Sequence, residues 1–340
     1  MAQNAQGFRA FRDGIISVIG GSGFIGRHVV AALASAGWRV RVICRRPDLA
    51  QFLQPLGAPG QIAFAQANVR EPGSLRRAVE DSRAVLNLVG ILAERGKQTF
   101  EAVHVHGAAA AARAAKEAGA ETFIHVSAIG ADAGSPSAYG RSKAKGEQEV
   151  RRIFPEAVIL RPSIVVGPED EFFNRFAAMA RLSPVLPLIG GGRTRFQPVY
   201  VGDVAEAAVR LVESGAHRGE ILELGGPEVL TFRELLRFML RVIRRRRLLL
   251  PVPFGLARVM AWPMQFLPGA PLTPDQVRTL QRDNVVSERA VAERRTFAGL
   301  GIEPEGIEAV VPAYLERYRP AGQFTVVRES IAEMLQTQGR

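Results

Sequence analysis

Cysteine is almost missing from this chain: Cys44 is the single one among 340 residues. That excludes an internal disulfide and fits a reducing compartment. Acid is short as well, with 33 Asp and Glu against 44 Lys and Arg, a formal net charge of +11 and a pI near 10.8. Such an excess suits an anionic partner: nucleotide phosphates, anionic lipid, an acidic protein face or nucleic acid. Long uninterrupted apolar runs are absent. The most apolar stretch, Leu248 to Leu272, is broken by five prolines and carries Arg258, so it cannot run as one spanning helix, although it can lie against a membrane or a partner. The opening MAQNAQGFRAFRDG has no apolar core, which weighs against a secretory signal. Metal ligands are missing too. His104 and His106 are two apart on an expected helix and face different directions, and no cysteine or carboxylate cluster completes a site, so no metal is expected. His125, inside an expected strand, reads as a satisfied interior histidine. There is no internal repeat and no low-complexity segment.

What is present is an ordinary folded composition, 47% hydrophobic and 23% charged. The length predicts one large domain plus a smaller one. Val- and Ile-rich runs at 15–20, 39–44, 62–69, 84–90, 122–130 and 157–167 read as buried strands. Stretches of helical spacing separate them, two of which stop at a glycine (Gly37, Gly119) suited to a left-handed cap. This alternation predicts an α/β fold, a doubly wound parallel sheet of the Rossmann type with a smaller, partly helical C-terminal lobe. After Gly167 the rhythm loosens. Residues 172–182 and 202–214 read as helices, 219–227 as a strand, and 231–247 as a basic amphipathic helix. The expected division is a tail over 1–13, a dinucleotide-binding domain over 14–170 with 197–230 returning to it, a lobe from 171–196 and 231–330, and a tail over 331–340.

SVIGGSGFIGRHVV follows the first strand and opens the first helix. Gly21, Gly23 and Gly26 satisfy G-x-G-x-x-G; Gly20, Gly23 and Gly26 satisfy G-x-x-G-x-x-G; both registers stay open. Either lets the amides around Phe24 and Ile25 approach a pyrophosphate at the helix N-terminus. Where an acid would accept from a ribose 2′-hydroxyl, the second strand ends Cys44, Arg45, Arg46. Guanidinium groups pair with a 2′-phosphate, so NADPH is expected over NADH, against the plainer reading of two arginines solvating a strand end. Tyr139 and Lys143 stand one helical turn apart, where the ammonium is expected to lower the phenol's pKa. Asp203, after QPVYVG, is expected to cap the next helix.

With the glycine loop, Tyr139-x-x-x-Lys143 and LRPSIVVGP in one order, residues 15–230 resemble the extended and atypical short-chain dehydrogenase/reductase superfamily. The resemblance implies that Asn68 and Val69 flank the adenine, and that Val89 and Gly90 line the cofactor. It further implies that Lys143 holds nicotinamide-ribose hydroxyls and that Pro162, Ile164 and Val165 pass beside the nicotinamide. Extended members commonly carry their catalytic hydroxyl just after a first serine at the end of the fifth strand; here Ser127 is followed by Ala128. That leaves Tyr139 and Lys143 read as cofactor ligands, with Ser127, Ser135 or Ser137 as substitute hydroxyl if the site is active.

SAIGADAGSPSAYGRSKAKGE, FQPVYVGDVA and PLTPDQVRTLQRDNVVS resemble more closely the nucleotide-binding accessory subunits of respiratory complex I, in their bacterial form. This implies a structural NADPH and other complex I subunits as partners, at the junction of the peripheral and membrane arms. It also implies a place on the cytoplasmic face of a bacterial inner membrane. Arg244–Arg247 with the 248–272 segment are expected to meet anionic lipid or an acidic partner, against the commoner meaning of a charge run as a solvated helix end. A free NADPH-dependent reductase or epimerase is the alternative, with Tyr139 as acid, Lys143 as its pKa partner and Ser127 as carbonyl donor. RNA binding comes third, since no aromatics interleave the arginines, and no DNA partner is expected.

Overall fold

A computed structural model describes residues 11–267 and 272–320. The expected tail 331–340, most of the tail 1–13, the end of the lobe beyond 320 and positions 268–271 of the apolar segment lie outside the described residues. In chain order the first half runs β1 (Ile15–Ile19), α1 (Phe24–Ser35), β2 (Arg39–Cys44), β3 (Ile62–Gln66), α2 (Pro72–Ala78), β4 (Ser82–Asn87), α3 (Ala108–Glu117), β5 (Thr122–Val126), α4 (Ala138–Ile153) and β6 (Val158–Pro162). There follow β7 (Val165–Val166), α5 (Phe173–Leu182), β8 (Val185–Ile189), β9 (Arg195–Phe196), β10 (Val199–Tyr200), α6 (Val201–Ser214) and β11 (Ile221–Leu224). The described residues end with β12 (Leu230–Thr231), α7 (Phe232–Val242), β13 (Leu248–Val252), α8 (Phe254–Met264), α9 (Pro274–Thr279), α10 (Glu288–Ala292) and α11 (Ile307–Leu315).

Seven strands form one parallel sheet in the order β11-β6-β5-β4-β1-β2-β3. The chain walks outward from β1 to β3, returns to β4 beside β1, and walks the other way. The carboxyl ends of β1 and β4 therefore flank a crevice where strand order reverses, the place such sheets offer a ligand. Alternation along each strand feeds both faces: Ile16 and Val18 join α1 and α6 in one core, Ile19 joins α2, α3 and α4 in the other. Every alanine of α3 is buried, and their small side chains let this helix lie close on its neighbours. The smaller lobe has its own core, where Phe173, Leu186, Leu188, Phe232, Leu236 and Met239 are buried between α5, α7 and β8.

Several expectations change. The run 157–167 is two strands, because Asn284 takes the amide of Ile164 and β7 leaves the sheet to pair with β10. The runs 62–69 and 122–130 stop as strands at Gln66 and Val126. In the first, Asn68 begins a turn by accepting from the Arg70 amide. The basic helix ends at Val242, Arg244 is left-handed at φ 52°, and Leu248–Val252 pair as a parallel strand with β8. Asp203 does not cap α6; it lies in the first turn and accepts from the Glu305 amide at 2.9 Å, fastening the segment that leads to α11.

Candidate nucleotide site

The backbone chooses between the two glycine registers. Gly20 has φ +83°, and a Cβ there would stand 2.9 Å from Val89, so the loops after β1 and β4 touch. A Cβ on Gly26 would stand 2.3 Å from the Gly20 carbonyl oxygen, which excludes any side chain. Gly23 is the N-cap of α1 and offers its amides no side-chain acceptor, and the first turn carries no acid. The spacing Gly20-x-x-Gly23-x-x-Gly26 is the one this geometry requires, with Phe24 and Ile25 supplying the first helical amides. Unpaired amides at a helix N-terminus attract an anion.

Arg45 and Arg46 follow β2 and are exposed. Arg46 is engaged: its Nε and Nη2 donate to Asp48 at 3.0 and 2.8 Å, a pairing that raises the guanidinium pKa and lowers the carboxyl's. Asn68 spends its side chain on its own turn, donating to Glu71 at 3.1 Å as well as accepting from Arg70. Val69 packs against Gly107, on the α3 side.

Lys143 reaches from α4 towards the end of β4. Its Nζ donates to the Val126 carbonyl at 3.1 Å, and a Cβ on Gly90 would lie 3.3 Å from it. Burial lowers the lysine to about 8, with Glu147 opposing. Tyr139 moves the other way from the sequence expectation: burial pushes its phenol up to about 12, and no hydrogen bond joins it to Lys143. Desolvation of the phenolate is the cause of that rise. At neutral pH the pair is therefore a neutral phenol that can donate and an ammonium with donors to spare, a set suited to ribose hydroxyls.

Ser127, at the end of β5, is buried, and its hydroxyl has no partner among the described residues. His125 is only half satisfied: its Nδ1 meets the Asn87 amide at 3.1 Å, while the buried Nε2 has none. Pro162 accepts from the Ile129 amide at 3.0 Å, and the Ile164 carbonyl accepts from Val199. Val165, in β7, pairs with Val199.

Sequence reasoning passed over the groups that hold Tyr139. The Ile91 amide donates to His104 Nε2 at 3.0 Å, so His104 Nδ1 carries the proton and donates to Ser142 Oγ at 2.9 Å. Ser142 Oγ donates in turn to the Tyr139 carbonyl at 2.8 Å. Phe100 stacks on His104 at 5.3 Å, and Tyr139 stands edge-on to both rings. From the smaller lobe, Asp275 accepts from the Tyr139 amide, and Asn284 binds the β6–β7 junction. The spacing Phe100-x-x-x-His104 was the one local hint.

Residues 16–225 match the model of the NAD dependent epimerase/dehydratase family. The chain is 35% identical to NADH dehydrogenase (ubiquinone) 1 alpha subcomplex subunit 9, mitochondrial, of Arabidopsis thaliana over 335 residues, covering 95% of this chain and 82% of that relative. It is 37% identical over 197 residues to the ceramide reductase of Caulobacter vibrioides, covering 58% of this chain and 60% of the relative. Among solved structures, the Thermus thermophilus UDP-glucose 4-epimerase in complex with NAD superposes with a TM-score of 0.67 at 21% identity, over 90% of this chain and 99% of that one.

Proposed function

The chain belongs to the NAD dependent epimerase/dehydratase family, and from that premise we propose that it is an NADPH-holding accessory subunit of a respiratory NADH:ubiquinone oxidoreductase. Other subunits would carry the hydride and electron chemistry. The observation that carries this reading is the end-to-end likeness to the plant complex I subunit, small lobe included. The fold itself is shared over 90% of the chain with an epimerase, so the weight lies on sequence: the likeness to the complex I subunit extends over 95% of this chain, that to the ceramide reductase over 58%.

The residues fit a dinucleotide. Gly26 lets α1 pack directly on the Gly20–Gly21 backbone and so keeps the loop tight, Gly23 leaves helix amides open, and Ser127 keeps a buried hydroxyl unpartnered. The preference for NADPH rests on Arg45, whose guanidinium has no carboxylate partner among the described residues, with Arg46 available on release from Asp48. NADPH is a hydride donor; in this reading Tyr139 and Lys143 hold its ribose, and its binding energy adds to the stability of the fold. Following the bacterial resemblance, we assign the chain to the cytoplasmic face of a bacterial inner membrane. There it would lie where the peripheral arm meets the membrane arm, with anionic lipid near Arg244–Arg247 and the described part of 248–272.

The test is gentle solubilisation of native membranes, separation of intact complexes by size, and probing of fractions for this chain and for NADH:quinone reductase activity. Co-migration, with NADPH released only on denaturation, is the expected result; migration apart from that activity overturns the reading. A free reductase is the second reading, favoured by the unpartnered Ser127 hydroxyl and by the match to the ceramide reductase. It requires NADPH oxidation with a carbonyl substrate that Tyr139→Phe abolishes, since the phenol would deliver the proton.

A further inference from the structure

We propose that Asp275, in the smaller lobe, is a positioning residue for Tyr139. Through it and Asn284, the strap 273–284 couples the seating of that lobe to the holding of the nicotinamide half of the nucleotide. The inference rests on the nucleotide reading above and deepens it.

The amides in the first turn of α4 have no acceptor within the helix. Ser137 Oγ accepts from Gly140 N at 2.9 Å. Asp275 takes the other two: Oδ1 from Ala138 N at 2.7 Å and Oδ2 from Tyr139 N at 3.0 Å. A carboxylate at a helix N-terminus is also favoured by the aligned peptide dipoles. Tyr139 is thus fixed at both ends of its own backbone. Its amide is held by the smaller lobe, and its carbonyl by the Ile91–His104–Ser142 relay that begins beside Gly90. With the amide and carbonyl both tied, the arc over which the phenol can swing is set by the peptide that carries it.

Asp275 is itself held. Thr273 and Gln276 close a reciprocal cap around α9, Pro274 opens the helix, and Arg278 lies 3.6 Å from the carboxylate. Farther along the strap, Asn284 Oδ1 accepts from Ser163 Oγ at 2.7 Å and from Ile164 N at 3.0 Å, and its amide donates to the Ile129 carbonyl at 3.2 Å. Between them, Arg282 pairs with Asp132 at 2.6 Å and donates to the Gly134 carbonyl. Besides its own internal bonds and those to Thr194, Arg195 and Gln197, the strap's hydrogen bonds fall on α4, on 129–134 or on 163–164. None reaches the glycine loop, Arg45 or Asn68 among the described residues. Loosening the strap must therefore act on one half of the site only.

The experiment uses the full chain as wild type, Asp275→Ala and Asp275→Asn, with dissociation constants measured calorimetrically for NADPH and for 2′,5′-ADP, which carries the adenine half alone. Asp275→Ala should weaken NADPH about tenfold, the scale of losing a good helix cap, with 2′,5′-ADP unchanged. Asp275→Asn keeps one acceptor oxygen and should fall between, which also serves should the alanine variant not fold. Adding Tyr139→Phe to Asp275→Ala should cost little more, because the phenol is already misplaced. Equal loss for both ligands would make Asp275 a general brace and overturn the inference. Unchanged NADPH affinity would overturn it too, while leaving the nucleotide reading intact. A wild-type chain that bound neither ligand would overturn the nucleotide reading, and the coupling with it.

Discussion

His104 and His125 are each pushed down to about 3, chiefly by burial and then by the Lys143 cation. Both imidazoles are neutral in the folded chain at physiological pH, whereas an unfolded histidine titrates near ~6.5. Between those values the unfolded chain binds more protons than the folded one, so stability that is complete above ~6.5 is lost as pH falls. Asp203, raised to about 6 by burial, acts in the opposite sense over the upper part of that window. The clean readout is consequently a difference between variants. His125→Gln keeps a polar group facing Asn87 and removes one titration. Its urea midpoint should fall less than the wild type's between about pH 7.5 and about pH 5; parallel pH profiles would show that His125 does not contribute. At this scale the sequence was legible wherever chemistry is local. Gly23 and Gly26 and the Tyr139–Lys143 spacing could be read because a loop and one turn of helix define them. Ser142 lies 38 positions from His104, and Asp275 lies 136 from Tyr139, so no periodicity announces either contact.

Elements were read well where apolar spacing decides and poorly where a stop has no signature. Helical spacing of Leu235, Leu236, Met239 and Val242 with the arginines predicts a helix through Arg247. It ends instead in a paired closure, with Arg245 N donating to the Leu240 carbonyl at 3.1 Å and Arg244 N to that of Arg241 at 3.0 Å. Glycine usually occupies the left-handed position of this closure, and here Arg244 does, at φ 52°. The turn throws Arg245–Arg247 onto a groove also lined by Arg233, Arg237 and Arg241. Beyond it, Leu248 and Leu250 of β13 and Leu256, Val259 and Trp262 of α8 are exposed. None of Arg245, Arg246 and Arg247 forms an ion pair with a carboxylate among the described residues, and Arg247 and Arg181 crowd Arg245 with like charge. Basic residues flanking an exposed apolar face suit an anionic bilayer surface. Changing Arg245, Arg246 and Arg247 together to glutamine should weaken binding to phosphatidylglycerol-containing vesicles about a hundredfold at low salt, at about 1 kcal/mol per arginine. Binding that ignores both the substitution and added salt would reduce the run to a solvated helix end.

For the whole molecule, strand–helix alternation made the parallel sheet legible, while the strand order that sets its switch point came only with the structure. The seating of the smaller lobe was not legible either, since it depends on single polar side chains, Asp275, Arg282 and Asn284, set in a segment with little apolar pattern. Those contacts carry a consequence for how the chain unfolds. α8 and α9 share a small apolar cluster of Val252, Ala257, Ala261 and Val277, and α9 reaches α4 through Asp275. A disturbance in α8 thus has a continuous path to the nucleotide site, and two-state unfolding across both lobes is expected. The two tryptophans report on it separately: Trp38 is 4% exposed at the sheet, and Trp262 is 64% exposed on α8. Trp38→Phe and Trp262→Phe each leave one reporter. Their urea transitions should coincide, and NADPH at a hundred times its dissociation constant should stabilise both by about 2.7 kcal/mol. If the Trp262 transition came first and ignored NADPH, the lobe would be unfolding on its own, and the strap could not be what ties it to the nucleotide.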